Sequence, residues 1–177
     1  MSFRMPGHFL LYAGFSLTAA VAAAQLPSPA DLHYLREAIE NNDAEMGAAQ
    51  MALDKANADD VKLFARLVLH DDPLLNRRVR GLAGELKMQV ANGQVSAHQQ
   101  QVADRLRPLS GDAFERLYIA AMIEGNRAAL NDTRAEAADS RFPPVKTAAQ
   151  VAAPIIQQHL QMALTIAQAH HVPVGGP

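Results

Sequence analysis

The apolar positions of this chain recur every three or four residues over long stretches, the spacing that lines one face of an α-helix. Leu32, Leu35, Ile39, Met46, Ala49 and Leu53 mark a first stripe. Ser28 is placed to cap it, and Pro29 takes the first helical position, where a missing N–H costs nothing. A second stripe runs through Val61, Phe64, Val68, position 72, Leu75, Val79, Leu82 and Leu86. Asn57 can cap that helix, and Asp59 and Asp60 suit the positive end of its dipole. Position 72 is Asp, and Pro73 after it is expected to kink or divide the helix, because its ring displaces the hydrogen bond to Leu69. Phe114, Tyr118, Ala121, Met122, Gly125 and Ala129 form a third stripe behind a capping box of Asp112 and Glu115. Gly125 at mid-helix costs about 1 kcal/mol against Ala, which implies close packing there. Phe142-Pro143-Pro144 closes that segment, and Ala152, Ile155, His159, Met162 and Ile166 make the fourth stripe, with Pro154 a second kink point.

These stripes predict helices over about 29–55, 58–90, 112–139 and 144–169. Ala91 to Arg107, with its Asn92-Gly93 break, glutamine-rich run and closing Pro108, reads as a linker with room for one short helix. Four amphipathic helices must bury their stripes against one another. The expected fold is all-α: a ferritin-like four-helix bundle built from two helical hairpins with a longer middle connection. Val61-Lys62 with Ala65, and Val145-Lys146 with Ala149, open the second and fourth helices alike and hint at two related halves. The tail from Val172 to Pro177 is too rich in Gly and Pro to order by itself.

Composition agrees, with no two-residue alternation of β-branched residues to suggest strands. Cysteine is absent, which removes disulfides, thiolate metal sites, covalent haem attachment and a lipid-acceptor cysteine. The net charge is −2, and the most basic stretch, Arg77, Arg78 and Arg80, has no interleaved aromatics. It reads as a solvated helix face rather than a nucleic-acid groove. No phosphate-binding glycine loop and no nucleophile elbow occur. Ser110, Thr133 and Ser140 have no evident base, and Met46, Met51, Met88, Met122 and Met162 fall at core spacing. His33 and His98 read as surface residues, and His170-His171 as an exposed pair near a frayed end.

The first residues read as an export signal over 1–24, leaving 25–177 as a single helical domain. Arg4 supplies the positive region, Phe9 to Ala23 the apolar region, and Ala22 and Ala24 the small-residue cleavage pattern. The apolar run is short of the ~20 residues a spanning helix needs. The expectation is a periplasmic or secreted protein with no membrane span after leader cleavage. The alternative is an uncleaved inner-membrane anchor.

Several motifs in order carry a family resemblance. Val61-Lys62-x-Phe64-Ala65 continues through Asp71 to Asn76, Phe114-x-x-x-Tyr118-Ile119-x-x-Met122 follows, and Pro154-x-x-x-x-His159-Leu160 comes last. An acidic position at Glu45 precedes them all. In this the chain resembles the bacterial envelope proteins of the domain of unknown function 4142 family (DUF4142), from about Leu35 to Ala167. The resemblance implies a ferritin-like helical fold. It also exposes departures: two positions where the family carries histidine are Asp72 and Asn126 here, and only His159 is kept. His70 cannot replace the first, since two residues are about 200° of rotation on a helix.

Glu45, Asp72, Asn126 and His159 come one from each expected helix, on or beside its apolar stripe, and can meet at one level of the core. One reading is a divalent metal site of one imidazole, two carboxylates and an amide carbonyl, for Mn, Fe or Zn. Another is a hydrogen-bonded polar layer. A third keeps Asp72 local, capping a helix restarted at Pro73. The Glu-x-x-His pairs of di-metal sites are absent, which argues against oxidase or storage chemistry. The sequence therefore reads as a non-enzymatic helical binding or stress-related module with an unknown protein or small-ligand partner, no nucleic acid and no required cofactor. The alternative is a ferritin-like metal-binding protein with one degenerate core site.

Overall fold

The computed structural model describes residues 26–173; the export signal expected at 1–24 and the last four residues lie outside them. Five helices follow in order: α1 (Pro29–Lys55), α2 (Asp59–Glu85), α3 (Ala97–Leu106), α4 (Gly111–Asp139) and α5 (Pro143–Ala169). None of them is long and apolar enough to cross a membrane. α1 starts as its sequence dictates. The Ser28 hydroxyl accepts from the Asp31 N–H at 3.1 Å, and the Asp31 carboxylate accepts from the Ser28 N–H at 2.6 Å. Reciprocal capping of this kind satisfies two backbone donors that the first turn leaves free.

α1 packs most extensively on α2, and α4 on α5, so the long helices form two hairpins; α1 also meets α4, and α2 meets α5. The middle connection returns along α1. Gly93 N–H donates to Asp43 at 2.8 Å, and Gln94 donates to Glu40 at 2.9 Å. At the far end the Lys55 ammonium donates to the carbonyls of Arg107 and Leu109 at 2.8 and 3.2 Å. α4 therefore starts beside the α1–α2 turn and runs parallel to α2, which makes each long helix antiparallel to both neighbours. Asp43 anchors the return. It also accepts from Asn76 and from Arg80, each at 2.6 Å, and Gly93 turns there with φ of 69°. Arg80 is thus tied inward, not solvated as its basic cluster suggested.

Several local expectations change for tertiary reasons. Position 58, the cap of α2, is Ala and offers no side-chain bond. Buried Glu115 reaches over from α4 instead, accepting from the N–H groups of Asn57 and Ala58 at 2.6 and 2.8 Å. Neither Asn57 nor the Asp112–Glu115 pair caps as the sequence suggested, and α4 begins at Gly111 after Ser110 without a side-chain cap bond. α2 stops at Glu85 rather than near 90. Lys87 adopts φ of 56° and the Met88 N–H closes on the Ala83 carbonyl at 2.9 Å, which lets Met88 and Val90 fold back against the core. Pro73 does not divide α2, nor Pro154 α5. Each proline removes only one N–H donor, and packed side chains on both sides hold the helix together.

The other end of α5 is also more ordered than its composition implied. His171 takes φ of 52°, the Val172 N–H donates to the Ala167 carbonyl at 2.8 Å, and Val172 is buried. His170 pairs with Asp60 at 2.8 Å rather than fraying.

Two substitutions test this account. Gly81 lies inside α2, and a Cβ there meets nothing within 4 Å. Gly81→Ala should therefore stabilise by about 0.5–1 kcal/mol, read from urea unfolding, since only helix propensity changes. Glu115→Ala strands two backbone donors and should cost about 1–3 kcal/mol. A neutral Glu115→Ala would remove the cross-helix cap from the account.

Candidate functional site: a buried polar layer

On α1, α2 and α5 the apolar core divides into two clusters. One cluster gathers Ala49, Val61, Phe64, Val68, Leu160 and Ala163, and another gathers Leu35, Ile39, Val79, Val145 and Ala149. Glu45, Asp72 and His159 fall between these stretches. The structure brings all four candidates into the interior: Glu45 is 7% exposed, Asp72 2%, Asn126 1% and His159 1%. Because each sits near the middle of its own helix, antiparallel packing puts them at one level.

Glu45, Asp72 and His159 each direct one ligand-type atom so that these atoms lie within 4.8 Å of one another. Asn126 has a different part from a carbonyl ligand. Its amide donates to both Glu45 oxygens at 3.1 and 3.2 Å and to the Met122 carbonyl at 2.9 Å. Asn41, one turn before Glu45, donates to the same carboxylate at 2.9 Å. Asp72 does not cap a restarted helix, because α2 is continuous and the side chain is buried within it.

His159 is held from behind. Its Nε2 lies 3.0 Å from Asp71, which also pairs with His70 Nδ1 at 2.7 Å. Burial lifts the Asp71 carboxyl, but the bonds from His70 and His159 outweigh it and keep Asp71 below its ordinary value. An ionised Asp71 assigns the His159 proton to Nε2 and leaves the Nδ1 lone pair facing Asp72, 3.8 Å away. That gap is too long for a hydrogen bond. Burial lowers the imidazole pKa, with Asp71 opposing, and the Phe64 ring stands edge-on to it at 6.2 Å.

The carboxyls bear the electrostatic cost of this packing. Burial pushes Glu45 up, the Asn41 and Asn126 bonds pull it down, and the balance leaves it at about 7. Burial, then the charges of Glu45 and Asp71, raise Asp72 well above the carboxylate range. One Asp72 oxygen, Oδ2, is buried without a hydrogen-bond partner, and so is the Tyr118 hydroxyl. Burial followed by the Glu45 and Asp72 charges raises Tyr118, so this phenol belongs to the same layer. Sequence reasoning placed Tyr118 only on a packed face and gave Asp71 no role. The legible signals were the four-residue steps Tyr118–Met122–Asn126 and the doubled Asp71-Asp72.

Chemically, the layer offers two carboxylates and one imidazole nitrogen in a water-poor interior, with three side chains holding them in place. No second set of three or more His, Asp or Glu side chains in metal-binding proximity occurs among the described residues.

The described residues define an all-α fold of five helices, the long ones arranged as hairpin pairs around a buried acidic–imidazole layer. The chain belongs to the DUF4142 family, a domain of unknown function, which matches residues 16–166. No curated protein matches it. Among solved structures it is similar to a DUF305 fragment from Deinococcus radiodurans. That likeness has a TM-score of 0.72 at 14% identity and covers 82% of this chain and 99% of the fragment. At that identity the likeness speaks to the fold alone.

The Glu45 shift has a definite sign. A carboxyl at about 7 when folded, against an ordinary 4.5, ties a proton to the folded state. The stability it brings is complete below pH 4.5 and is lost as pH rises through 7. Relative to Glu45→Gln, the wild-type protein in chelator should therefore lose melting temperature steadily across that window. Parallel curves for the two proteins would mean that Glu45 is not a buried acid.

Proposed function

We propose that this chain is an exported helical binding protein whose polar layer holds one divalent transition-metal ion on Glu45, Asp72 and His159. In this reading the scaffold is a ferritin-like four-helix bundle reduced to a single site. Two hairpins joined by a connection that returns along the bundle support that description. The leader pattern of residues 1–24 supports export to the periplasm or beyond.

The observation that carries the reading is the partnerless Oδ2 of Asp72, buried beside a second carboxylate and an imidazole lone pair. A stranded buried acceptor costs about 1–3 kcal/mol, and Asp72 Oδ2 is one that sits within reach of two other metal-ligating side chains. A divalent cation would satisfy it and neutralise two carboxylates at once. Ligands each ~2.0–2.2 Å from one ion lie roughly 3–4 Å apart, so small side-chain adjustments close the present spacing. Asp71 behind His159 is the carboxylate partner that orients metal-bound imidazoles. One nitrogen and two carboxylates suit Mn, Fe(II) or Zn. The absence of Glu-x-x-His pairs favours binding over di-metal oxidase chemistry.

Elemental analysis and calorimetry on untagged protein test this. One equivalent of metal per chain is expected, lost in His159→Ala and Asp72→Asn and retained in His170→Ala. Wild-type protein that takes up no Mn, Fe(II) or Zn, and melts identically with and without chelator, would overturn the reading. Asp71→Asn should weaken affinity by about 10–100-fold without changing stoichiometry.

A further inference from the structure

A cavity of about 560 Å³ opens between α1 and α4 beneath α3, in the size range of small-molecule sites. Its walls are mostly apolar. Ala48, Met51, Val102, Leu106 and Ala121 line one stretch, where small side chains on α1 and α4 leave room and α3 forms the roof. The polar groups gather toward the other stretch. Antiparallel pairing sets Glu45 against Asn126, and about two to three turns further along brings Tyr34 against Thr133. Glu37 and Asp132 consequently fall near one level of the cavity wall, which Asn42 also lines. Asn42 is 8% exposed, and its amide has no hydrogen-bond partner among the described residues.

Charge narrows the occupant. The lining carboxylates, Glu37, Glu45, Glu124 and Asp132 among them, outnumber the lining arginines, Arg78 and Arg107; Arg107 is paired with Asp104 at 2.7 Å, and Glu37 and Glu124 face His33 and His98 at 4.0 and 3.6 Å. An anionic head such as a fatty-acid carboxylate would meet like charge there, and a cationic one would meet its complement. From the apolar walls, the acidic end and the open Asn42 amide, we infer that this cavity binds an amphipathic amine, its alkyl chain under α3 and its ammonium head between Glu37, Asp132 and Asn42. Glu45 is part of the cavity wall, so such a ligand would lie beside the polar layer, but binding does not require the metal reading to hold.

Displacement of the neutral fluorescent probe N-phenyl-1-naphthylamine from the protein, with and without chelator, tests the inference. Octylamine should displace the probe about tenfold more tightly than octanoate, with octanol between them. The double variant Glu37→Gln/Asp132→Asn should level that preference while leaving octanol unchanged. Ala48→Phe, checked for helicity by circular dichroism, should lose all three ligands. Metal content measured on the same samples keeps the two proposals separate. The inference is overturned if the probe does not bind saturably, if octanoate equals octylamine, or if the double variant keeps the amine preference.

Discussion

Two carboxylates and an imidazole buried among helices that are otherwise apolar set the terms for this structure. Carboxylates in a water-poor interior lose solvation that only hydrogen bonds, protons or a counter-ion can replace. Glu45 is met by amides from its own helix and from α4, Asp71 holds His159 from behind, and Asp72 keeps one oxygen unmet. The long helices must therefore align closely enough to bring these groups to one level. Their register is what the polar layer constrains, because sliding any helix by a turn would bury its charge against alkyl side chains instead.

That register is also secured by bonds away from the polar layer. Glu115 crosses from α4 to hold the start of α2, and His170 at the end of α5 reaches Asp60 near the same place. Asp43 gathers α2 and the returning connection onto α1. At the opposite end Ser140 donates to Asp31 of the first helical turn. Bonds from Ser140, Ser28 and Glu136 overcome burial there to hold Asp31 at about 2, while burial and the nearby Asp31 raise Glu136 to about 7. Acidic side chains thus clamp both ends of a molecule whose centre is also acidic. This pattern explains how a chain with few aromatic residues fixes one helix arrangement: directional bonds to carboxylates specify alignment, while aliphatic burial supplies non-directional cohesion.

The returning connection matters for the same reason. By running the length of α1 it lets α4 start beside the α1–α2 turn, so each long helix lies antiparallel to its neighbours. α3 then covers the seam between α1 and α4, where alanines and glycines leave space instead of filling it. Gly125 shows the distinction. A Cβ there would sit 3.5 Å from Glu45, an ordinary contact, so the glycine borders the carboxylate and is not forced by helices touching.

Read alone, the amino-acid order determined the helices and their buried faces, because 3.6-residue periodicity and the Ser28–Asp31 cap are local properties of the chain. It also singled out Glu45, Asp72, Asn126 and His159, since a polar residue on an apolar stripe stands out wherever the stripe packs. Tertiary structure alone decided which atoms those residues offer. Asn126 became a donor to Glu45, Asp71 and Tyr118 joined the layer, and Glu115 took over the cap of α2 that Asn57 was expected to provide, all through partners far away along the chain. Such contacts depend on how helices rotate and slide against each other, and one-dimensional spacing holds no record of that.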